Sequence, residues 1–174
     1  MTHDDLVEVG KRWLSKPWRN SGTGGHSGCG VIVAEMTCAS RETPDVIGWH
    51  SGFTTLIECK TSRADFLADA KKHFRKHPET GLGYYRYYMV PKGLLDVDDL
   101  PDGWGLVEVT PDGKTRVKRA SAPWYESNKA AEVNILLSLI RRLKVDSGRH
   151  VAINVYTIDN EKEPRASAII GSES

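Results

Sequence analysis

Apolar residues recur at helical spacing at the start of the chain. Leu6, Val9 and Trp13 form one stripe, widened by Val7 and Leu14. Thr2 with Asp5 three residues on has the form of a capping box, so a helix is expected over residues 2–15, with Pro17 and Asn20 breaking it. The glycine-rich stretch NSGTGGHSGCG (20–30) reads as a loop, and it lacks the spacing of a phosphate-binding loop. The period then changes. VIVAEMTCA (31–39), PDVIGWH (44–50) and TTLIECKTS (54–62) read as strands, the second and third joined by the short turn SGF. A helix is expected over 64–76, with Phe66, Leu67, Ala70 and Phe74 on one face and Pro78 as its stop. YYRYYMVP (84–91) and GWGLVEVT (103–110) are strand-like, and PDG turns the chain into KTRVKRA. A final helix is expected over 128–144, with Val133, Leu136, Leu137, Ile140 and Leu143 facing inward. HVAINVYTI (150–158) suits a short strand.

This order predicts one α/β domain over residues 1–160, with a central mixed sheet flanked by helices, and a flexible tail over 161–174. A length of 174 residues suits a single core. The net charge of +1 gives no global field for nucleic acid, so any basic surface must be local. Cys29, Cys38 and Cys59 contain no C-x-x-C pair, which argues against a disulfide framework or zinc site and fits a cytoplasmic protein. The N-terminus lacks a signal-peptide pattern, and no run reaches the roughly 20 apolar residues of a membrane helix. Neither a membrane nor a nucleotide cofactor is expected.

The run TTLIECKTS carries charge where apolar residues are the rule. Alternation puts Leu56, Glu58 and Lys60 on one face and Ile57 and Cys59 on the other. Charges among such neighbours need partners or a task. The short hairpin would bring Asp45 near Glu58, and two close carboxylates repel unless a cation lies between them. Hard oxygen donors suit Mg²⁺ or Mn²⁺, which polarise a phosphoryl oxygen and acidify bound water. A neighbouring lysine can orient that water or stabilise charge on a phosphate. Asp45, Glu58 and Lys60 are therefore candidate catalytic residues for metal-assisted phosphodiester hydrolysis.

Pro44-Asp45 followed by Glu58-Cys59-Lys60 resembles the signature of the PD-(D/E)XK nucleases. The stretches AEMTCASRETPDVIGW, IECKTSRADFLAD, YYRYYMVPKGLL and LPDGWGLVEV, with the last helix, resemble the MmcB-like DNA-repair group of that superfamily, over about residues 31–143. The resemblance implies a restriction-endonuclease-like core and a metal-dependent deoxyribonuclease leaving 5′-phosphates. It further implies that Asp45, Glu58 and the backbone carbonyl of Cys59 ligate the metal, that Lys60 is the catalytic lysine, and that Glu35 is a further catalytic acid or ligand. Glu8 on the first helix is the alternative acid.

Arg63, Lys71, Lys72 and Arg75 are candidate nucleic-acid contacts, the last three as a basic helix face. Outward tyrosines of the Tyr84–Tyr88 cluster are candidates for base stacking. No DNA-reading module is visible, so DNA structure or ends are expected to guide the protein rather than sequence. Cutting both strands requires two chains or two encounters, which makes a homodimer a natural partner state. A DNA-binding repair accessory protein with little catalysis is the competing expectation.

Overall fold

The computed structural model describes residues 1–20, 24–26, 28–36 and 42–142. Residues 150–158 and the tail from 161 lie outside these. The first helix, α1 (His3–Ser15), starts as its sequence predicts: Thr2 accepts from the Asp5 N–H, and the Thr2 N–H donates to Asp5 at 2.7 Å. The glycine-rich stretch, expected as a loop, contains a short strand, β2 (Gly24–His26), paired antiparallel with β1 (Trp18–Asn20), which leads into it.

The main sheet has six strands: β3 (Val31–Ala34), β4 (Val46–His50), β5 (Phe53–Cys59), β6 (Tyr85–Pro91), β7 (Gly105–Val109) and β8 (Thr115–Arg119). They lie side by side in chain order. The pairs β5–β6 and β6–β7 are parallel and the others antiparallel, so the sheet is mixed and open. His50 pairs with Phe53, which leaves Ser51 and Gly52 as a two-residue turn; Gly52 supplies the positive φ, 85°, that such a turn demands. Glu35 takes a φ of 50° and ends β3 after Ala34; residues 37–39 of the expected strand lie outside the described residues.

Alternation along the strands splits the core into two layers. Val46, Ile57, Tyr87, Met89 and Val107 pack against Leu6, Val9 and Leu14 of α1. Ile47, Leu56, Tyr88, Val90 and Leu106 face the other side, with Phe66 of α2 (Arg63–Asp69) and Ala131 and Ile135 of α4 (Lys129–Arg142). Helices therefore cover both faces, as predicted.

Two helices differ from expectation. The one expected over 64–76 is divided into α2 and α3 (His73–Lys76). Phe66 and Asp69 of α2 turn inward while Leu67 and Ala70 are exposed. In α4, Val133, Leu137 and Ile140 are exposed and Leu136 is half-buried, and the buried side is Ala131, Glu132 and Ile135. A polar anchor sets this rotation: Glu132 accepts from Thr54 Oγ1 at 2.8 Å and from the Gly83 N–H at 3.0 Å. Leu143 lies outside the described residues.

Gly83 has a φ of 86°, and a Cβ there would lie 2.6 Å from the Leu56 Cβ. Gly83→Ala is therefore expected to destabilise the fold by about 2–4 kcal/mol, through a strained backbone and overpacking together. Urea denaturation checks it; an unchanged midpoint would contradict the close approach.

Candidate active site

Glu58 is the penultimate residue of β5, and Lys60 follows the strand's end. Glu58 is 1% exposed, and the Lys60 ammonium donates to its Oε2 at 2.9 Å. The Lys60 N–H continues the ladder to the Met89 carbonyl at 3.0 Å, which fixes the backbone from which the side chain leaves. Asp45 stands immediately before β4. Its Oδ2 accepts the Cys59 N–H at 2.7 Å and lies 3.8 Å from the Lys60 ammonium. The hairpin thus assembles Asp45, Glu58 and Lys60 at one end of the sheet. The cation lying between the two carboxylates is Lys60 itself.

Asp45 remains 19% exposed. Burial and the nearby Glu58 charge push its carboxyl up to about 6, against the pull of Lys60, the Cys59 N–H and His3. Burial works against the charge on Lys60, but Glu58, Asp69 and Asp45 together hold it above the usual lysine range.

The site also holds Asp69 and Glu42, which the sequence pattern did not indicate, and Arg75, which it indicated as a nucleic-acid contact. Arg75 of α3 turns inward with its side chain 4% exposed. It donates to Asp69 at 2.7 Å and to Glu42 at 2.9 Å, and its Nη2 lies 3.1 Å from Glu58 Oε1. Its guanidinium also lies 4.5 Å from the Trp104 ring centroid. Asp69 accepts from Tyr88 Oη at 2.8 Å and sits 2.6 Å from the Lys72 ammonium. Burial would raise the Asp69 carboxyl, but Arg75, Lys60 and Lys72 hold it well below the usual carboxylate range. Asp69 stands three residues after Phe66, on the buried line of α2; a carboxylate on that line was the available signal.

The basic residues do not form one solvent-facing surface. Arg75 is interior because three carboxylates, Glu42, Glu58 and Asp69, draw it in. Arg63 makes a two-pronged contact with Asp99 at 2.7 and 2.6 Å. Lys72 pairs with Asp69, and Lys71 is exposed. Tyr85, Tyr87 and Tyr88 are buried, which leaves Tyr84, immediately before β6, half-buried.

Glu35 reaches the edge of the site. Its N–H is shared between the Pro44 and Asp45 carbonyls, each at 3.1 Å. His3 of α1 lies 3.6 Å from both the Glu35 and the Asp45 carboxylates. Glu8 instead pairs with Lys11 along the helix.

Among the described residues, no group of three His, Cys, Asp or Glu side chains is arranged to hold a metal ion. In kind, the oxygen donors suit a hard divalent ion. In position they divide. Asp45 and Glu35 fit it, being partly open to solvent. Glu58 does not fit as folded, because its oxygens face Lys60 and Arg75.

No family model and no curated protein matches the chain. A solved structure, the SPO1766 protein of unknown function from Silicibacter pomeroyi, is similar to it. The match has a TM-score of 0.50 and 27% identity, and it covers 65% of this chain and 76% of that one. The likeness concerns the fold and names no activity. No helix of the described residues is long and apolar enough to cross a membrane.

Proposed function

We propose that this chain is a metal-dependent deoxyribonuclease with a restriction-endonuclease-like core, akin to the MmcB-like DNA-repair group. The observation that carries this reading is the convergence of Asp45, Glu58 and Lys60 at one sheet end, with Asp45 partly open to solvent. Asp45 is a part-open carboxylate beside a buried one, with a cation within 4 Å of both. Asp45, with Glu35 and the Cys59 carbonyl, would hold Mg²⁺ or Mn²⁺; Glu58 would join them only once Lys60 and Arg75 release it. When bound, the metal polarises a phosphodiester oxygen and acidifies water. Lys60 supplies positive charge beside the phosphate as negative charge develops there. Arg75 keeps Glu58 oriented. Exposed Lys71 and half-exposed Lys72 supply local positive charge for the DNA backbone. The proposed substrate is DNA recognised by structure or ends, in the cytoplasm, with a homodimer serving both strands.

The competing reading, a DNA-binding repair accessory with little catalysis, draws on one observation: Glu58 is closed off by Lys60 and Arg75. One experiment separates the two. Purified protein is incubated with linear, supercoiled, single-stranded and branched DNA and with RNA, with Mg²⁺, Mn²⁺ or EDTA. Metal-dependent cleavage of DNA is expected. DNA binding without cleavage would favour the accessory protein, and cleavage confined to RNA would change the substrate class.

A further inference from the structure

We infer that Asp69 is the positioning residue of this site, directing the Lys60 ammonium away from Asp45 and so keeping Asp45 open. The inference rests on the cleavage reading above for its catalytic consequence, though not for its geometry. Asp69 ends α2, where the helix dipole disfavours an acid, so it does not serve that helix. It is 1% exposed, and a buried carboxylate persists only with partners.

Its two oxygens face different groups. Oδ2 is anchored by Tyr88 Oη at 2.8 Å and Arg75 Nε at 2.7 Å, donors from β6 and α3. Oδ1 faces the two ammoniums, Lys72 at 2.6 Å and Lys60 at 3.5 Å. Lys60 therefore stands among three carboxylates: Glu58 at 2.9 Å, Asp69 at 3.5 Å and Asp45 at 3.8 Å. Glu58, two residues away on the same face, accepts the hydrogen bond of the ammonium and is the pivot about which it can lean. Asp69 and Asp45 compete for the ammonium. With Asp69 neutralised, Asp45 becomes the remaining carboxylate opposite Glu58. Lys60 then closes on Asp45 and occupies the position that a metal or phosphate needs.

A structural anchor of the crossover helices would also be buried and bonded, so the test must read Lys60 directly. Protein carrying ¹⁵N-lysine gives an ammonium signal for Lys60, assigned by its loss in Lys60→Met. In Asp69→Asn that signal is expected to shift and broaden, while in Tyr88→Phe, which removes only a neutral anchor, it stays near its wild-type position. Cleavage by Asp69→Asn is expected to fall about 100-fold in kcat with KM unchanged, as a misplacement of about 1 Å would produce. If Asp69→Asn does not fold, Asp69→Glu is read in its place, with the same signal displaced and kcat reduced. A Lys60 signal unmoved by the folded variant overturns the inference, as does a kcat within about twofold of wild type. A wild-type protein that cuts nothing overturns the nuclease reading instead, and the Lys60 signal still decides the role of Asp69.

Discussion

Asp45→Asn is expected to reduce DNA cleavage on the order of 10³-fold while making the protein harder to unfold. The two effects share one cause. The Asp45 carboxyl is raised from 3.8 to about 6 by burial and by Glu58. Between those values the unfolded chain carries the charge and the folded chain holds the proton. The contribution of Asp45 to stability therefore falls as pH rises through about 4 to 6 and is level above that window. The gap between 3.8 and about 6 corresponds to at most about 3 kcal/mol against the folded state at neutral pH. Asparagine keeps an oxygen for the Cys59 N–H without the charge, so a gain of about 1–2 kcal/mol is expected at pH 7.5, shrinking towards pH 4. Urea denaturation of both proteins across that range checks it. A gain that does not depend on pH would remove the charge-based explanation, and a variant that still cuts would remove Asp45 from the chemistry.

Arg75→Met is expected to cost about 3–5 kcal/mol of stability, the largest loss predicted for a single side chain here. Its guanidinium is the common partner of Glu42, Glu58 and Asp69, all three buried. Methionine fills much of the volume and still packs against Phe74 and Trp104, but it leaves three carboxylates with too little positive charge. Acidification supplies protons in its place, so the deficit should narrow as the pH falls. Adding Glu58→Gln to the variant should recover part of the loss, because one of the stranded charges is gone. Guanidinium denaturation of the single and double variants measures both effects. A single variant within 1 kcal/mol of wild type would mean that Arg75 does not hold the network together.

The sheet's alternation made the centre of the site legible. Leu56, Glu58 and Lys60 share a face because a strand repeats every two residues, and Asp45 stands close because only Ser51 and Gly52 join the paired residues His50 and Phe53. The surrounding charges were not legible for equally physical reasons. Lys71, Lys72, Arg75 and Lys76 look alike on a helical wheel, and nothing in the composition marks Arg75 as the one that turns in. No glycine or proline announces the break between Asp69 and His73. Glu42 lies outside any regular element, where periodicity carries no information. In α4 apolar residues occur on both sides, so the pattern alone favoured the wrong one; the buried bond from Thr54 to Glu132 chooses the other. The nuclease chemistry came from a short motif and its resemblance, and the geometry adds partners to that motif without naming a reaction.

The parallel pairing of β5 with β6 has a consequence for how the chain reaches its folded state. The β4–β5 hairpin closes locally and brings Asp45 against the end of β5 early, with Glu58 beside it. The parallel partner comes only after a long crossover that contains α2 and α3, and such closure is slow. Arg75 and Lys72 ride on that crossover. Asp45, Glu58 and Lys60 therefore belong to the hairpin, while Asp69 arrives with Lys72 and Arg75 on the crossover. Sheet closure and completion of the charge network both require the crossover to dock, so a molecule that has not finished folding also has no finished site.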